Sequence, residues 1–253
     1  MHEFLTFAVI GFLAQLVDGA LGMGFGVISS SVLLAQGIPP ALVSASVNAA
    51  KLPTGLTSAI SHYVHKNLDW EIVRNVAIFG AIGGVIGSLL LTSLKGHMLS
   101  VLINIYLAGI GLLILYRAIL GIAPKLFAPS KTKFIGFAGG LIEGIGGSWG
   151  PIVTSSLVGA VNEPRFAIGS SNFCEVIVSA AVFVAFLITF SFGHWGEGMD
   201  WTSMVSSVAG LAVGGLPAAF FGGWLSKHAP KRPLTIALGL LTIGIAAYRA
   251  FFT

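Results

Sequence analysis

The chain has 253 residues, of which 55% are hydrophobic and only 9% are charged, and its mean hydropathy is +0.94. Soluble domains carry about 25% charged residues, so this composition excludes a soluble globular protein and predicts a membrane protein with several spans. The formal net charge of +4 comes from lysines and arginines between apolar segments, and it indicates membrane topology rather than a nucleic-acid partner.

Apolar runs predict the membrane segments in two series of five. The first series covers 4–17, 24–36, 42–62, 72–93 and 98–118, and the second covers 134–142, 151–161, 166–192, 202–224 and 233–252. A full span needs about 20 apolar residues, so no room is left for a soluble domain. We therefore expect one membrane domain over residues 1–253, with a first repeat at 1–118, a linker at 119–133 and a second repeat at 134–253.

A glycine-rich stretch occurs twice in the chain. Residues 10–31 align with residues 135–156 without gaps, and 8 of the 22 positions are identical. In each copy an apolar segment meets an acid, then a glycine-rich break, then an apolar segment that opens with hydroxyls. The acids are Asp18 and Glu143, and the hydroxyl residues are Ser29, Ser30 and Ser31 in one copy and Thr154, Ser155 and Ser156 in the other. Broken, duplicated helices in a membrane chain are typical of a transporter's binding site.

The two arms of each broken segment are short. Arms 4–17 and 24–36 contain 14 and 13 residues; each would reach only about 20 Å, whereas the hydrocarbon core is about 30 Å thick. We therefore predict an all-α polytopic membrane protein of two inverted repeats, each a glycine-broken helical hairpin plus three transmembrane helices. The hairpin tips would meet inside the bilayer, where protein or a water-filled cavity must cover their backbone. The alternative is that each broken segment is one kinked span. Each repeat would then cross the membrane four times and the two halves would be parallel. That arrangement would place the basic residues of either 66–74 or 227–232 outside, against the usual cytoplasmic preference of Lys and Arg.

Lysines and arginines indicate the orientation, because they collect on the cytoplasmic side of a membrane. The linker carries Lys125, Lys131 and Lys133, and the loop 225–233 is also basic, so both are predicted to be cytoplasmic. With inverted repeats, both termini are then predicted outside. We expect a multi-pass protein of the cytoplasmic (plasma or inner) membrane.

The segment 42–62 carries a polar face that includes a lysine. The residues of this face are Ser44, Asn48, Lys51 and Ser58. A lysine near the middle of a span costs about 3 kcal/mol on insertion scales, so we expect Lys51 to hold an anionic substrate, to neutralise a buried acid, or to extend its ammonium to the membrane interface. Glu175 occupies the equivalent position in the second repeat, three residues after Asn172. It is predicted to pair with Lys51, either as a pair that opens during transport or as a permanent one, or to carry protons.

The breaks themselves predict an anion site. Free backbone N–H groups, the positive end of the helix dipole and hydroxyls attract an anion, although small residues also serve close helix packing. The acids before the breaks would couple transport to H⁺ or a cation, or cap the loops. The predicted substrate-binding residues are Gly22, Gly24, Ser29, Ser30, Asn48, Lys51, Gly147, Trp149, Thr154, Ser155 and Asn172, and the predicted coupling residues are Asp18, Glu143 and Glu175.

No residue pattern indicates an enzyme, a metal or a cofactor. The single cysteine, Cys174, excludes an intramolecular disulfide and a multi-cysteine metal site. The histidines lie at segment ends without metal-ligand spacing, and no nucleophile–base arrangement is present. We therefore expect no catalytic residues, no metal and no cofactor.

The motif Asp18-Gly-x-x-Gly22-x-Gly24 after Gly11-Phe12, the Pro39-Pro40 loop and Ser46-x-Asn48, together with their repetition, resemble the TauE/SafE sulfite-exporter family. The resemblance covers essentially the whole chain. It implies a multi-spanning plasma-membrane permease that moves sulfite, sulfoacetate or other sulfur-containing organic anions. The second copy has Trp149 and Pro151 where the first has Gly24 and Gly26, so the two breaks are not expected to contact substrate equally.

Together these features predict a secondary transporter, with export favoured, for a small sulfur-containing anion. Alternating access would occur at a midplane site between the inverted repeats. The expected partners are the anionic substrate, the lipid bilayer, H⁺ or a coupling cation, and a second copy in a homodimer; no nucleic acid is expected. The alternatives are a passive anion channel, a transporter of a non-sulfur solute, and an intramembrane enzyme or structural subunit of a larger complex, although the lack of a catalytic arrangement argues against the enzyme.

Overall fold

The computed structural model describes residues 2–64, 66–94, 96–120, 131–158, 164–193, 201–228 and 230–252. These residues form ten helices and no strand. In chain order the helices are α1 (His2–Leu21), α2 (Phe25–Ala35), α3 (Pro40–Val64), α4 (Trp70–Ser93), α5 (Gly96–Leu120), α6 (Thr132–Gly146), α7 (Val153–Val158), α8 (Pro164–Ser191), α9 (Trp201–His228) and α10 (Lys231–Phe252). Five helices precede the linker and five follow it.

Two pairs of equivalent helices start with the same residue, proline in α3 and α8 and tryptophan in α4 and α9. Both α3 and α8 begin with a proline, Pro40 or Pro164, a residue that suits the first helical position because it has no N–H to satisfy. Helix α4 begins after Asp69, whose carboxylate accepts hydrogen bonds from the backbone N–H groups of Glu71 at 2.9 Å and Ile72 at 3.2 Å. The sequence repeat therefore extends to the signals that start the helices.

Four helices are long and apolar enough to cross a membrane within the described residues. They cover Trp70–Ser93, Val101–Leu120, Phe166–Ser191 and Arg232–Phe251, and shorter apolar helices cover Phe4–Asp18, Phe25–Ala35 and Val205–Ala219. Helix α3 has 25 residues but is not among them, because it carries Lys51 and several other polar side chains. The described part of the chain is thus that of a multi-pass membrane protein.

The first arm of each broken segment is longer than predicted. Helix α1 continues through Asp18 to Leu21, and α6 continues through Glu143 to Gly146, so both acids lie inside helices rather than at their ends. Glycine costs only about 1 kcal/mol relative to alanine in a helix, and packing offsets so small a cost. Helix α1 has 20 residues, but its apolar part, Phe4–Asp18, remains shorter than the roughly 20 apolar residues of a full span.

Two loops also differ from the predicted boundaries. Helix α9 continues to His228 and α10 begins at Lys231, so Lys227 and Arg232 of the predicted loop 225–233 lie in helices. The predicted linker 119–133 is bounded by α5 and α6, but its residues 121–130 lie outside the described residues. Residues 194–200, between α8 and α9, also lie outside the described residues.

Glycines bring α4 against α6, and α1 against α9, in close parallel crossings. A Cβ atom on Gly140 would meet the Gly80 carbonyl, and one on Gly144 would meet the Gly84 carbonyl. In the other half, Cβ atoms on Gly210 and Gly214 would meet the first turns of α1. The glycines of α4 and α9 therefore lie at close helix crossings.

The central helices, by contrast, pack in antiparallel pairs. Along the contact between α3 and α8, Lys51 lies beside Glu175, and Ser58 lies beside Asn172, so the numbers rise on one helix as they fall on the other. Helices α5 and α10 behave in the same way. Their contacts include Asn104 with Arg249 at one end and the Ala118 carbonyl with Arg232 at the other.

The chain reverses direction at the second break. Val153, the first residue of α7, lies against Gly139 in the middle of α6, because a Cβ on that glycine would meet the valine side chain. Helix α7 therefore runs beside α6 rather than continuing it. At the first break, Phe25 and Gly11 both lie against Gly215, so α2 also begins beside the middle of α1.

Candidate functional site

The two glycine breaks have the same backbone geometry. Gly22 and Gly147 are equivalent in the sequence repeat, and both have φ of 69°, a left-handed conformation that glycine adopts without strain. The N–H of Gly22 donates to the Asp18 carbonyl at 2.5 Å, and the N–H of Gly147 donates to the Glu143 carbonyl at 2.7 Å. Each first arm therefore ends in a glycine cap of the kind that commonly terminates helices.

The two breaks are in contact with each other. A Cβ atom on Gly26 would meet the carbonyl oxygen of Gly147, and one on Gly150 would meet Gly22 and Met23. The methyl group of Thr154 lies beside Gly22. The breaks are 125 positions apart in sequence, so their contact brings the duplicated motif together at one site. Their depth in a bilayer stays a prediction.

Asp18 caps the N-terminus of α2. Its Oδ1 accepts hydrogen bonds from the N–H groups of Gly24 at 2.7 Å and Phe25 at 3.2 Å. The predicted anion site at this helix end is thus filled by the protein's own carboxylate in this conformation. The bonded amides and the positive end of the helix dipole both stabilise the carboxylate.

Lys51 lies between two carboxylates. Its ammonium is 2.7 Å from Glu143 Oε1 and 2.8 Å from Glu175 Oε1, and it donates a further hydrogen bond to the Gly147 carbonyl at 2.8 Å. An ammonium has three N–H groups, so these three partners saturate it. Ser179 donates to the same Glu143 oxygen at 3.3 Å. The predicted pairing of Lys51 with Glu175 is confirmed, and Glu143 joins the pair.

The cluster carries more negative than positive charge. With Asp18, Glu143 and Glu175 ionised around Lys51, its formal charge is −2. The α2 amides compensate Asp18, but one carboxylate of the Glu143–Glu175 pair then has no compensating charge. An uncompensated buried charge costs several kcal/mol.

Glu175 is the more accessible carboxylate of the pair. Its side chain is 18% exposed, whereas that of Glu143 is 0% exposed. Glu175 also lines a cavity of about 20 Å³, which is room for about one water molecule. The lining residues are Gln15, Asp18, Phe25, Lys51, Thr54, Gly55, Ser58, Asn172, Glu175 and Val176.

Several predicted residues lie away from the cavity lining. Of the substrate-binding set, Lys51 and Asn172 line the cavity, whereas Gly22, Gly24, Ser29, Ser30, Asn48, Gly147, Trp149, Thr154 and Ser155 do not. Ser30 donates to the Gly146 carbonyl at 2.6 Å. Trp149 is fully buried and donates from Nε1 to Ser171 Oγ, 3.0 Å away, and the same hydroxyl lies 2.7 Å from Thr154 Oγ1.

Five buried polar atoms, one of them in the Lys51 cluster, lack a hydrogen-bond partner among the described residues. They are Ser29 Oγ, Ser31 Oγ, Ser46 Oγ, Asn48 Oδ1 and Glu143 Oε2. A buried unsatisfied polar group costs about 1–3 kcal/mol. Such atoms are therefore suited to gain partners in another conformation or with a ligand.

Two kinds of residue at the site were not predicted from the sequence. Gln15 lines the cavity, and its signal was a lone polar residue three positions before Asp18 in an apolar arm. Arg117 at the end of α5 donates to the Pro151 carbonyl and to Ser155 at the start of the other half's α7. Arg249, its equivalent in α10, donates to the Leu34 carbonyl in α2. Each half thus holds the second arm of the other half's broken segment, a link that sequence spacing alone does not reveal.

Comparisons with known proteins agree with this architecture. The family described as "Sulfite exporter TauE/SafE" matches residues 7–249. The chain is 34% identical over 247 residues to "Probable membrane transporter protein YtnM" of Bacillus subtilis (strain 168). The aligned region covers 94% of this chain and 80% of that protein. It is 26% identical over 185 residues to a "Probable membrane transporter protein" of Haemophilus influenzae, an alignment that covers 69% of this chain and 71% of that protein. No solved structure matches.

Proposed function

Because this chain belongs to the sulfite exporter TauE/SafE family of membrane transporters, we propose that it is a secondary transporter of a small sulfur-containing anion. Sulfite and sulfonates such as sulfoacetate fit the proposal, since the family description names sulfite. Transport would proceed by alternating access, with the site reached from one side of the membrane at a time. The observation that carries the proposal is the Lys51 ammonium, held by two carboxylates where the two glycine breaks meet.

Inverted repeats would supply the two alternative states. Helices α3 and α8 are equivalent in the sequence repeat and pack antiparallel, and so do the equivalent helices α5 and α10. Two halves related by an axis in the membrane plane bring equivalent helices together in this antiparallel way. This packing supports inversion over the parallel alternative. With the linker cytoplasmic, the α3–α4 loop would also face the cytoplasm and both termini would lie outside.

Anion binding would require a change of partners at Lys51. All three N–H groups of its ammonium are bonded to protein in this conformation, so an incoming anion must displace one acceptor. Glu175 is the partner to be displaced, because it is more exposed than Glu143 and lines the cavity. Once displaced, its carboxylate loses its positive partner, and a proton neutralises it.

The coupling that follows is one proton carried with one anion. For a monovalent anion this movement is electroneutral, so its direction depends on the anion and proton concentrations on the two sides. Export then occurs when the anion accumulates inside the cell. The cavity is smaller than a sulfite-sized anion, since it has room for about one water molecule, so binding would also require the breaks to move apart.

The test is anion flux by the purified protein in liposomes. Vesicles loaded in turn with sulfite, thiosulfate, sulfoacetate, taurine or acetate would be followed for efflux, with the internal pH recorded by a trapped dye. We expect efflux of a sulfur anion accompanied by proton movement, insensitive to an imposed membrane potential for a monovalent anion and driven by an inside-negative potential for a divalent one. Potential-driven flux without proton movement would indicate a passive channel instead. Flux that depends on an added metal cation and not on pH would show that this cation, and not the proton, is the coupling ion.

A further inference from the structure

A stripe of polar side chains runs from the buried cluster to one end of the α3–α8 pair. Lys51, Ser58 and His62 lie on one face of α3, at spacings of seven and four residues, and Asn172 and Glu175 lie on the facing side of α8. Lys51, Asn172 and Glu175 belong to the site predicted from the sequence, and Ser58 belongs to the predicted polar face of the segment 42–62. His62 is one of the histidines at segment ends for which the sequence predicts no metal site.

Asn172 connects the cavity to the histidine. Its Nδ2 lies 3.3 Å from Ser58 Oγ and 3.3 Å from His62 Nε2. Ser58 and Asn172 line the cavity together with Glu175, and that cavity has room for about one water molecule. A single bridging water would therefore suffice to link this pair to the Glu175 carboxylate.

The other end of the stripe reaches the loop that follows α3. The second ring nitrogen of His62, Nδ1, lies 3.5 Å from Nδ2 of Asn67 in that loop. Exposure increases along α3 in the same direction, from the buried Lys51 through the partly buried Ser58 and His62 to the exposed Lys66. The stripe therefore has one end at the ion cluster and the other at the surface.

We propose that this stripe is a proton route between the α3–α4 loop and Glu175, with His62 as the proton-accepting residue at its mouth. The inference rests on the proposed function and deepens it by naming the path of the coupled proton. A proton from solvent bonds to a ring nitrogen of His62. The ring then releases a proton to water in the cavity, and that water passes one to a carboxylate oxygen of Glu175. The net change is one proton moved, with no electron transfer.

The chemistry of the stripe suits a residue that changes its charge. Histidine is the side chain whose ordinary titration range spans neutral pH. Rotation of the Asn172 amide by half a turn would exchange its N–H donor for an oxygen acceptor, so the amide can serve either protonation state of the ring. The charged side chains described on the segments around His62 are Lys66 and Asp69 of the loop, Glu71 and Arg74 of α4, and Glu175 of α8.

The first measurement follows protonation of Glu175 directly. Infrared difference spectroscopy after a rapid drop in pH would record the carbonyl band of the protonated acid in wild-type protein, with the band assigned by its loss in Glu175→Gln. We expect His62→Gln, which keeps a hydrogen-bonding side chain but cannot titrate, to slow the appearance of this band by roughly 100-fold. An unchanged rate in a folded His62→Gln protein would overturn the route, whatever the transport assays give.

The second measurement uses a matched pair of hydroxyl variants. Ser58→Ala removes a group that lines the route, whereas Thr57→Val removes the neighbouring hydroxyl, which donates to the Pro53 carbonyl of its own helix. We expect slower proton uptake with Ser58→Ala and wild-type uptake with Thr57→Val. Anion affinity should stay unchanged in His62→Gln. Wild-type proton rates in both Ser58→Ala and His62→Gln, together with intact anion flux, would overturn this route while the proposed function stands.

Discussion

The Lys51 ammonium lies 2.8 Å from Oε1 of Glu175, and the two residues occupy equivalent positions in the two halves of the chain. A duplication has thus placed opposite charges at one position of its two copies. By the same equivalence, the contact of Lys51 with Glu143 corresponds to an approach of Glu175 to Asp18, and both of these acids line the cavity. The pair Lys51 and Glu143 therefore joins opposite charges, whereas the equivalent pair, Glu175 and Asp18, consists of two acids.

This asymmetry predicts a pH dependence that Glu175 controls. If an anion binds Lys51 only when Glu175 holds a proton, affinity falls by about tenfold for each pH unit above the range in which Glu175 titrates. Glu175→Gln imitates the protonated state, so we expect anion binding that is nearly independent of pH. Calorimetric titration from acidic to alkaline pH would measure both slopes. Glu143→Gln is the matched control and should keep the wild-type slope. If Glu143→Gln instead lost the pH dependence while Glu175→Gln kept it, Glu143 would be the proton carrier.

Lys51 itself is expected to be necessary for anion binding. Lys51→Met leaves two buried carboxylates without their cation, a change that costs about 3–5 kcal/mol of stability. The double variant Lys51→Met with Glu143→Gln removes one charge of each sign and should recover much of that loss. We expect both variants to show no thermal stabilisation by sulfite or sulfoacetate. Stabilisation of the folded double variant at wild-type concentrations of anion would remove Lys51 from the binding site.

Much of this site could be predicted because the repeat makes positions comparable. The equivalence of Lys51 with Glu175 predicted their contact, and the duplicated glycines predicted that the breaks would meet. The role of Glu143 could not be read in the same way. It is equivalent to Asp18 but longer by one methylene, and it reaches across to Lys51 while Asp18 turns back to cap its own hairpin. A difference of one methylene does not show in residue spacing.

The residues at which the first arms end could not be predicted from the sequence either. Glycine is permitted both inside a helix and in a break, so the run from Gly19 to Gly26 has no unique point at which the helix must stop. The structure ends α1 at Leu21 because Gly22 adopts the left-handed conformation. Glycine inside α6 is retained because Gly144 lies against the α4 backbone, where a side chain would collide.

Asp18 allows the cap to be separated from the charge. Asp18→Asn keeps a side-chain oxygen that can accept from the α2 amides, and asparagine is as good a helix cap as aspartate, whereas Asp18→Ala should cost about 1 kcal/mol. We expect thermal unfolding to reveal the loss only in the alanine variant. Both variants should retain the pH slope of anion binding. A slope abolished by Asp18→Asn would show that Asp18, and not Glu175, exchanges the proton.

The contact between the two breaks can be tested with one methyl group. A Cβ on Gly26 would meet the Gly147 carbonyl and would lie 2.8 Å from Lys51 Nζ. Overpacking of this kind costs about 1–3 kcal/mol, and the displaced ammonium would lose its geometry towards both carboxylates. We therefore expect Gly26→Ala to lower thermal stability and abolish anion-dependent stabilisation.

Gly109→Ala is the matched control for this change. Gly109 lies in α5, and nothing lies within 4 Å of a Cβ built on it. Alanine in a helix is favoured over glycine by about 1 kcal/mol, so this variant should be as stable as the wild type or more stable and should transport normally. If Gly26→Ala transported anion as fast as Gly109→Ala, the two breaks would have to lie further apart during transport than they do here. Anion binding at Lys51 would then not depend on the contact between Gly26 and Gly147.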